Sequence, residues 1–316
     1  MGDLSVDDGS LRVKTKLGEL RNPIGNSAGF DKTAEHLSAL QKLGFGYLNA
    51  GTVTLQPLPG HPKPRVVRNP SEKTMVNALG FPNPGVDRFI ANLERQRLKV
   101  PVVVSISGRA IPDIVECYEK IQSKAAGVEL NLSSPNTSKL ADLRELDVFT
   151  ELVRQMIGKR EKPTYLKIPP LIEDSQFSKV LKLVRIWSDA GFDGVTAANA
   201  IPVEEPRVSI GTGGLSGPPL FPNLLRAIGM IRKEGSSRED FEVNAVGGIS
   251  NARDVKAALA AGANTVQIFT AIVFEGPGLI KSILTDLKND KVRKQEEEEE
   301  EEGQQNILPA KPAQFD

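Results

Sequence analysis

Gly127-Val-Glu-Leu-Asn-Leu-Ser-Ser-Pro-Asn-Thr137 changes character halfway along. Its first half reads as a short buried strand, and its second gathers two amides and three hydroxyls around a proline turn. Helical periodicity follows over 146–158, so the local unit is strand, polar loop, helix. That unit recurs along the chain. Strands are expected over 22–29, 47–54, 100–108, 127–133, 163–169, 194–200, 241–248 and 265–271. Helices are expected over 32–43, 85–96, 111–123, 146–158, 174–190, 219–233, 251–261 and 277–290. A strand followed each time by a helix defines an α/β protein, and eight repeats point to one closed (β/α)8 TIM barrel more than an open sheet.

The barrel is expected to fill residues 11–290, after a flexible N-terminus over 1–10. Beyond 290 the composition shifts to Lys291-Val-Arg-Lys and then an unbroken run from Glu296 to Glu302. Such a charge block repels itself, and 291–316 reads as an acidic, disordered tail; a docking role for it is the alternative.

Composition narrows the chemistry. Forty basic residues balance forty acidic ones, so no overall field draws the chain to nucleic acid. One cysteine, Cys117, excludes an internal disulfide, and two histidines, His36 and His61, argue against a metal site. Residues 1–10 are acidic, unlike a secretory or transit leader, and no run approaches the roughly 18 apolar residues of a membrane span. A cytoplasmic location is expected. Catalysis must then rest on hydroxyls, amides, lysines and a bound cofactor.

In such a barrel the active site lies at the C-terminal ends of the strands. Polar residues collect there: Asp31-Lys32, Thr52, Ser105, Asn131 to Asn136, Lys167, Asn199, Gly247-Gly248 and Thr270. Pro135 biases Ser134 towards an extended conformation, from which Asn131, Ser134 and Asn136 face one ligand; an ordinary Ser/Asn turn is the alternative for this segment alone. Lys167 ends the fifth strand at a position that alternation turns inward, which favours a site role over a surface salt bridge, the alternative for a lone lysine. The glycines after strand seven, with Ile268-Phe-Thr-Ala and Leu215-Ser-Gly217, suit a phosphate held by backbone N–H groups.

Asn131-Leu-Ser-Ser-Pro-Asn-Thr137 resembles the catalytic signature of the dihydroorotate dehydrogenases, flavin barrel enzymes. Further motifs match in family order: Ser27-Ala-Gly-Phe-Asp-Lys32, Gly51-Thr-Val-Thr54, Lys63-Pro-Arg65, Asn77-Ala-Leu-Gly-Phe81, Lys167-Ile-Pro, Thr212-Gly-Gly-Leu-Ser-Gly217 and Val246-Gly-Gly-Ile249. The resemblance implies FMN as cofactor and oxidation of (S)-dihydroorotate to orotate in pyrimidine (UMP) biosynthesis. It implies Ser134 as the base for the C5 proton, with hydride passing from C6 to flavin N5. Substrate contacts are implied for Lys32, Asn77, Phe81, Asn131, Asn136 and Asn199. Cofactor contacts are implied for Ala28, Gly29, Lys32, Thr52, Ser105, Asn131, Lys167, Ser216, Gly217, Gly247, Gly248, Phe269 and Thr270. Cys117 lies outside the motif, in an expected helix, and reads as a packed side chain.

The chain also departs from the family pattern. Its serine base resembles the membrane-associated quinone-using branch, as do Phe81 and Thr137. Yet its first barrel motif comes within about thirty residues, which leaves no room for that branch's N-terminal helix pair. No stable membrane insertion is therefore expected. Val104-Ser-Ile-Ser-Gly108 is similar to the soluble branch instead. Ala198 and Ala200 flank Asn199 where family members usually carry hydroxyls. The electron acceptor (quinone, fumarate, NAD or another) stays open, as does a homo-oligomer. Beside the leading reading stand a paralogue for another dihydropyrimidine and a flavin-binding relative without turnover.

Overall fold

Eight apolar runs become eight parallel strands: β1 (Ile24–Asn26), β2 (Leu48–Val53), β3 (Val102–Ile106), β4 (Gly127–Asn131), β5 (Thr164–Lys167), β6 (Gly194–Ala197), β7 (Glu242–Val246) and β8 (Thr265–Ile268). In the computed structural model, which describes residues 2–133, 142–172 and 174–305, they pair in the order β1-β8-β7-β6-β5-β4-β3-β2. Helices cover the outside, so these strands are buried on both faces, which is why the sequence runs are apolar. The barrel is the expected one.

The circle closes between β1 and β2 by unusual means. A single parallel bridge joins Gly25 to Tyr47. Beside it the Asn26 side chain stands in for a ladder: its Nδ2 donates to the Asn49 carbonyl at 2.7 Å, and its Oδ1 accepts from the Asn49 N–H at 2.9 Å. Gly25 is required there, since a Cβ would lie 2.4 Å from the Tyr47 ring. The N-terminal end of the barrel is plugged by a hairpin, Val13–Thr15 with Gly18–Leu20, whose Leu17 and Leu20 pack on Tyr47 and Val103.

Each outer helix buries one stripe. Leu146–Ile157 buries Phe149, Leu152, Val153 and Met156, the spacing of a single helical face. Ile111–Gln122 does the same and holds Cys117 fully buried, where desolvation pushes its thiol up to about 12. Cys117 is a packed side chain.

Three features differ from expectation. The first helix does not begin at 32: the Asp31 carboxylate accepts from the backbone N–H of Thr33 at 3.0 Å and of His36 at 2.6 Å. That anchor holds the chain in turns until Leu37–Leu40. Second, four further strands pair antiparallel in the order Ile201–Glu204, Thr212–Ser216, Thr74–Asn77, Val66–Asn69. They come from the loops after β2 and β6 and wall one side of the barrel's C-terminal mouth. Third, the last helix, Leu279–Gln305, continues through the expected boundary at 290. Lys, Arg, Glu and Gln, which fill most of 291–305, are all good helix formers; residues 306–316 lie outside the described residues. Among the described residues no helix is long and apolar enough to cross a membrane.

Candidate active site

Inward side chains of the strands and the antiparallel wall enclose a cavity of about 480 Å³ at the C-terminal end of the barrel. That is within the usual range for small-molecule and cofactor sites. Ser134 and Asn136, like Thr137, lie outside the described residues. Ser105 is fully buried behind the wall, since its one-carbon side chain ends at Thr52, with the two hydroxyls 3.0 Å apart. All the other expected residues line the cavity: Ala28, Gly29, Lys32, Thr52, Asn77, Phe81, Asn131, Lys167, Asn199, Ser216, Gly217, Gly247, Gly248, Phe269 and Thr270.

A chain of hydrogen bonds crosses four strands to reach that wall. Thr52 accepts from Asn131 Nδ2 at 3.1 Å, and Asn131 Oδ1 accepts from the Ser133 hydroxyl at 2.9 Å. Ser133 Oγ in turn accepts from Asn199 Nδ2 at 3.0 Å. Two amides that line the cavity are thereby fixed in orientation before any ligand arrives. Ser133 is fully committed to that task, although the sequence alone does not separate it from its neighbour Ser134.

Cations converge on the same space. Lys32 lies on the wall, and burial, then the Lys167 ammonium and the Arg65 guanidinium, push its ammonium down to about 8. Lys167 is buried at the end of β5, 3.4 Å from the Ser27 hydroxyl and 3.9 Å from a Glu129 oxygen. Phe81 lines the cavity from a left-handed backbone conformation (φ 54°), a cost of order 1–3 kcal/mol of the kind that collects at functional sites. Phe269 packs its ring on Phe30, centroids 4.4 Å apart.

The glycine-rich end of the cavity is built from backbone. Gly217 (φ 120°) and Gly248 (φ 75°) adopt conformations that favour glycine. A Cβ on Gly217 would sit 2.7 Å from the Lys73 carbonyl, and one on Gly248 would sit 2.7 Å from the Phe221 nitrogen. Thr270 donates to Ser216 at 2.9 Å, tying the end of β8 to the antiparallel wall.

Several wall residues were not anticipated. Gln267 points inward from β8, is 2 % exposed, and its Oε1 has no hydrogen-bond partner. A polar residue at the inward position of Val266-Gln-Ile268 is the signal that identifies it. Val66, which is 40 % exposed, and Met75 supply an apolar stretch of wall. Lys73 and Glu275 pair at 2.5 Å, and both line the cavity.

A barrel whose strand ends carry a glycine-built backbone cradle, fixed amides and two lysines, Lys167 buried and Lys32 half-buried, is of the class that holds a phosphate-bearing cofactor against a small anionic ring. FMN fits that set: its phosphate suits the glycines, and the orphaned Gln267 oxygen and the Lys167 ammonium offer partners to a polar ring edge.

Comparison with known proteins agrees. A profile of the family described as dihydroorotate dehydrogenase matches residues 10–290. Dihydroorotate dehydrogenase (quinone) of Azotobacter vinelandii is 34 % identical over 292 residues, which is 86 % of this chain and 83 % of the relative. The enzyme of the same name from Coxiella burnetii is 32 % identical over 286 residues, 84 % of this chain and 81 % of the relative. The crystal structure of DHODH from Eimeria tenella in complex with ferulenol superposes with a TM-score of 0.82 at 26 % identity, covering 92 % of this chain and 88 % of that one. The chain belongs to the dihydroorotate dehydrogenase family, FMN-dependent oxidoreductases that act on CH–CH bonds.

Proposed function

We propose that this chain oxidises (S)-dihydroorotate to orotate, with Ser134 removing the C5 proton. The observation that carries the reading is the fixed Asn131–Ser133–Asn199 network beside Lys32 and Lys167. It presents amide groups and positive charge to one small space, as a ring bearing carbonyls, N–H groups and a carboxylate requires. FMN, when bound, supplies the two-electron chemistry by accepting at N5 the hydride that leaves C6. Asn77, Asn131, Asn136 and Asn199 orient the pyrimidine, and Lys32 faces its negative charge. Lys167 holds the flavin's N1/C2=O edge, where charge gathers on reduction. Gly217, Gly248 and their neighbours take the phosphate. A serine hydroxyl is a weak base, so Ser134 passes its proton onward through a hydrogen-bonded route.

The relatives' names point to a quinone as the acceptor, and the apolar wall of Val66 and Met75 supports that choice. Anaerobic mixing of the flavoprotein with dihydroorotate should bleach the oxidised flavin band within one turnover. A quinone should then restore the band faster than fumarate or NAD. An unchanged spectrum in the first step, with FMN bound, would overturn the substrate assignment. Ala198 and Ala200 both line the cavity and offer no hydroxyl, which favours a second reading, another dihydropyrimidine as substrate. Bleaching by dihydrouracil but not by dihydroorotate would select it.

The low pKa of Lys32 gives a signed pH test. Below about 8 the free protein carries that charge, and above it the charge is shed. Orotate affinity is therefore full on the acid side and falls as pH rises, with Kd increasing up to about tenfold per unit above pH 8. Isothermal titration from about pH 7 to 10 measures this. A flat profile would remove Lys32 from the substrate site.

A further inference from the structure

Inside the barrel, directly beneath the cavity, a carboxylate stands close to the flavin-facing lysine. Glu129 on β4 is fully buried. One of its oxygens accepts from Asn49 Nδ2 at 3.0 Å. The other has no hydrogen-bond partner and lies 3.9 Å from Lys167 Nζ, within reach of charge but too far for a hydrogen bond. Asn49 thus holds the carboxylate back. Lys167 gives no hydrogen bond to Glu129, and beyond its contact with Ser27 its N–H groups are left for the cavity, while part of its positive field is cancelled from below.

Buried charges this close are poorly screened, so the cancellation is felt by whatever sits on the other side of the ammonium. We infer that Glu129 is a positioning and tuning residue for the flavin: acting through Lys167, it lowers the reduction potential of bound FMN. The inference rests on the flavin reading of the cavity. It follows in sign from electrostatics alone, because reduction places negative charge at the ring edge that Lys167 faces, and Glu129 opposes that charge. A lower potential makes the reduced flavin a stronger donor to the acceptor, at the expense of the driving force for dihydroorotate oxidation.

The test is the midpoint potential of bound FMN in the full chain, measured by equilibration with a reference dye. Glu129→Gln keeps the volume and an oxygen for Asn49. It is expected to shift the two-electron equilibrium about tenfold towards reduced flavin, about 30 mV upward. Sulfite, a probe whose flavin adduct is stabilised by the same positive field, should bind about tenfold tighter to the variant. Glu129→Asp, which retains the charge but withdraws it, should move both readouts in the same direction by less than threefold. Should E129Q not fold, the aspartate variant still carries the sign. An unchanged or lowered midpoint with FMN bound overturns the role of Glu129 alone. A parent chain that neither retains nor rebinds FMN overturns the flavin reading, and the role of Glu129 with it.

Discussion

Gly248→Ala should yield a folded barrel that fails to hold FMN. At φ 75° an alanine is strained by about 1–2 kcal/mol. Its Cβ would also lie 2.7 Å from the Phe221 nitrogen and 3.0 Å from the Gly217 carbonyl oxygen. Both are backbone atoms, so no side-chain rotation relieves the clash, and forced overpacking costs a further 1–3 kcal/mol or so. The segments that must move are the phosphate cradle itself. Even about 2 kcal/mol lost from cofactor binding is about 30-fold in Kd. Flavin content after gel filtration, with circular dichroism to verify the fold, is the measurement. Gly18→Ala is the control, since its φ of 100° is also positive but nothing lies within 4 Å and it sits in the hairpin at the opposite end. If Gly248→Ala retains FMN at parental affinity, the cradle is misplaced.

Ser134→Ala should slow reduction of the flavin by dihydroorotate at least 100-fold while leaving FMN content unchanged, about the low end of what a positioned base contributes. The adjacent serine sharpens the test. Ser133 hydrogen-bonds to both Asn131 and Asn199, so Ser133→Ala leaves two amide groups without that partner, at about 1–3 kcal/mol if they stay buried. Its loss should weaken orotate binding as well as rate. Rapid-mixing absorbance separates the two: one variant is expected to change the rate at saturating substrate, the other mainly the concentration dependence. Parental reduction by Ser134→Ala would transfer the base to another group.

The barrel was legible because its strands are buried on both faces, which leaves a plain apolar signature at each repeat. The antiparallel wall was not. Its strands have four or five residues, partly exposed, and Thr212-Gly-Gly reads as a cofactor loop before it reads as a strand. The shortened first helix turns on one carboxylate, Asp31, whose two backbone bonds no periodicity reveals. At the site, motif residues such as Lys32, Asn131 and Lys167 could be named from the chain alone. Ser133, Gln267 and Glu129 could not, because their meaning depends on which inward side chains of separate strands come level. Barrel register decides that, as when Asn131 pairs with Lys167 on β4 and β5. Sequence fixes the alternation of each strand but says little about their mutual stagger.

The closure between β1 and β2 has a last consequence. A cylinder closed at one joint by one bridge, one side-chain amide and a few isolated backbone hydrogen bonds has a parting line, and every other joint is zipped by a ladder. The expected cofactor contacts fall on both banks of that line, with Ala28, Gly29 and Lys32 on one side and Thr52 on the other. The Gly29 N–H already spans it to the Gly51 carbonyl at 2.7 Å. A ligand seated there acts as a rivet as well as a reagent. Binding to both banks favours the closed barrel by mass action, so FMN is expected to raise resistance to heat and proteolysis, which thermal melts with and without the cofactor measure.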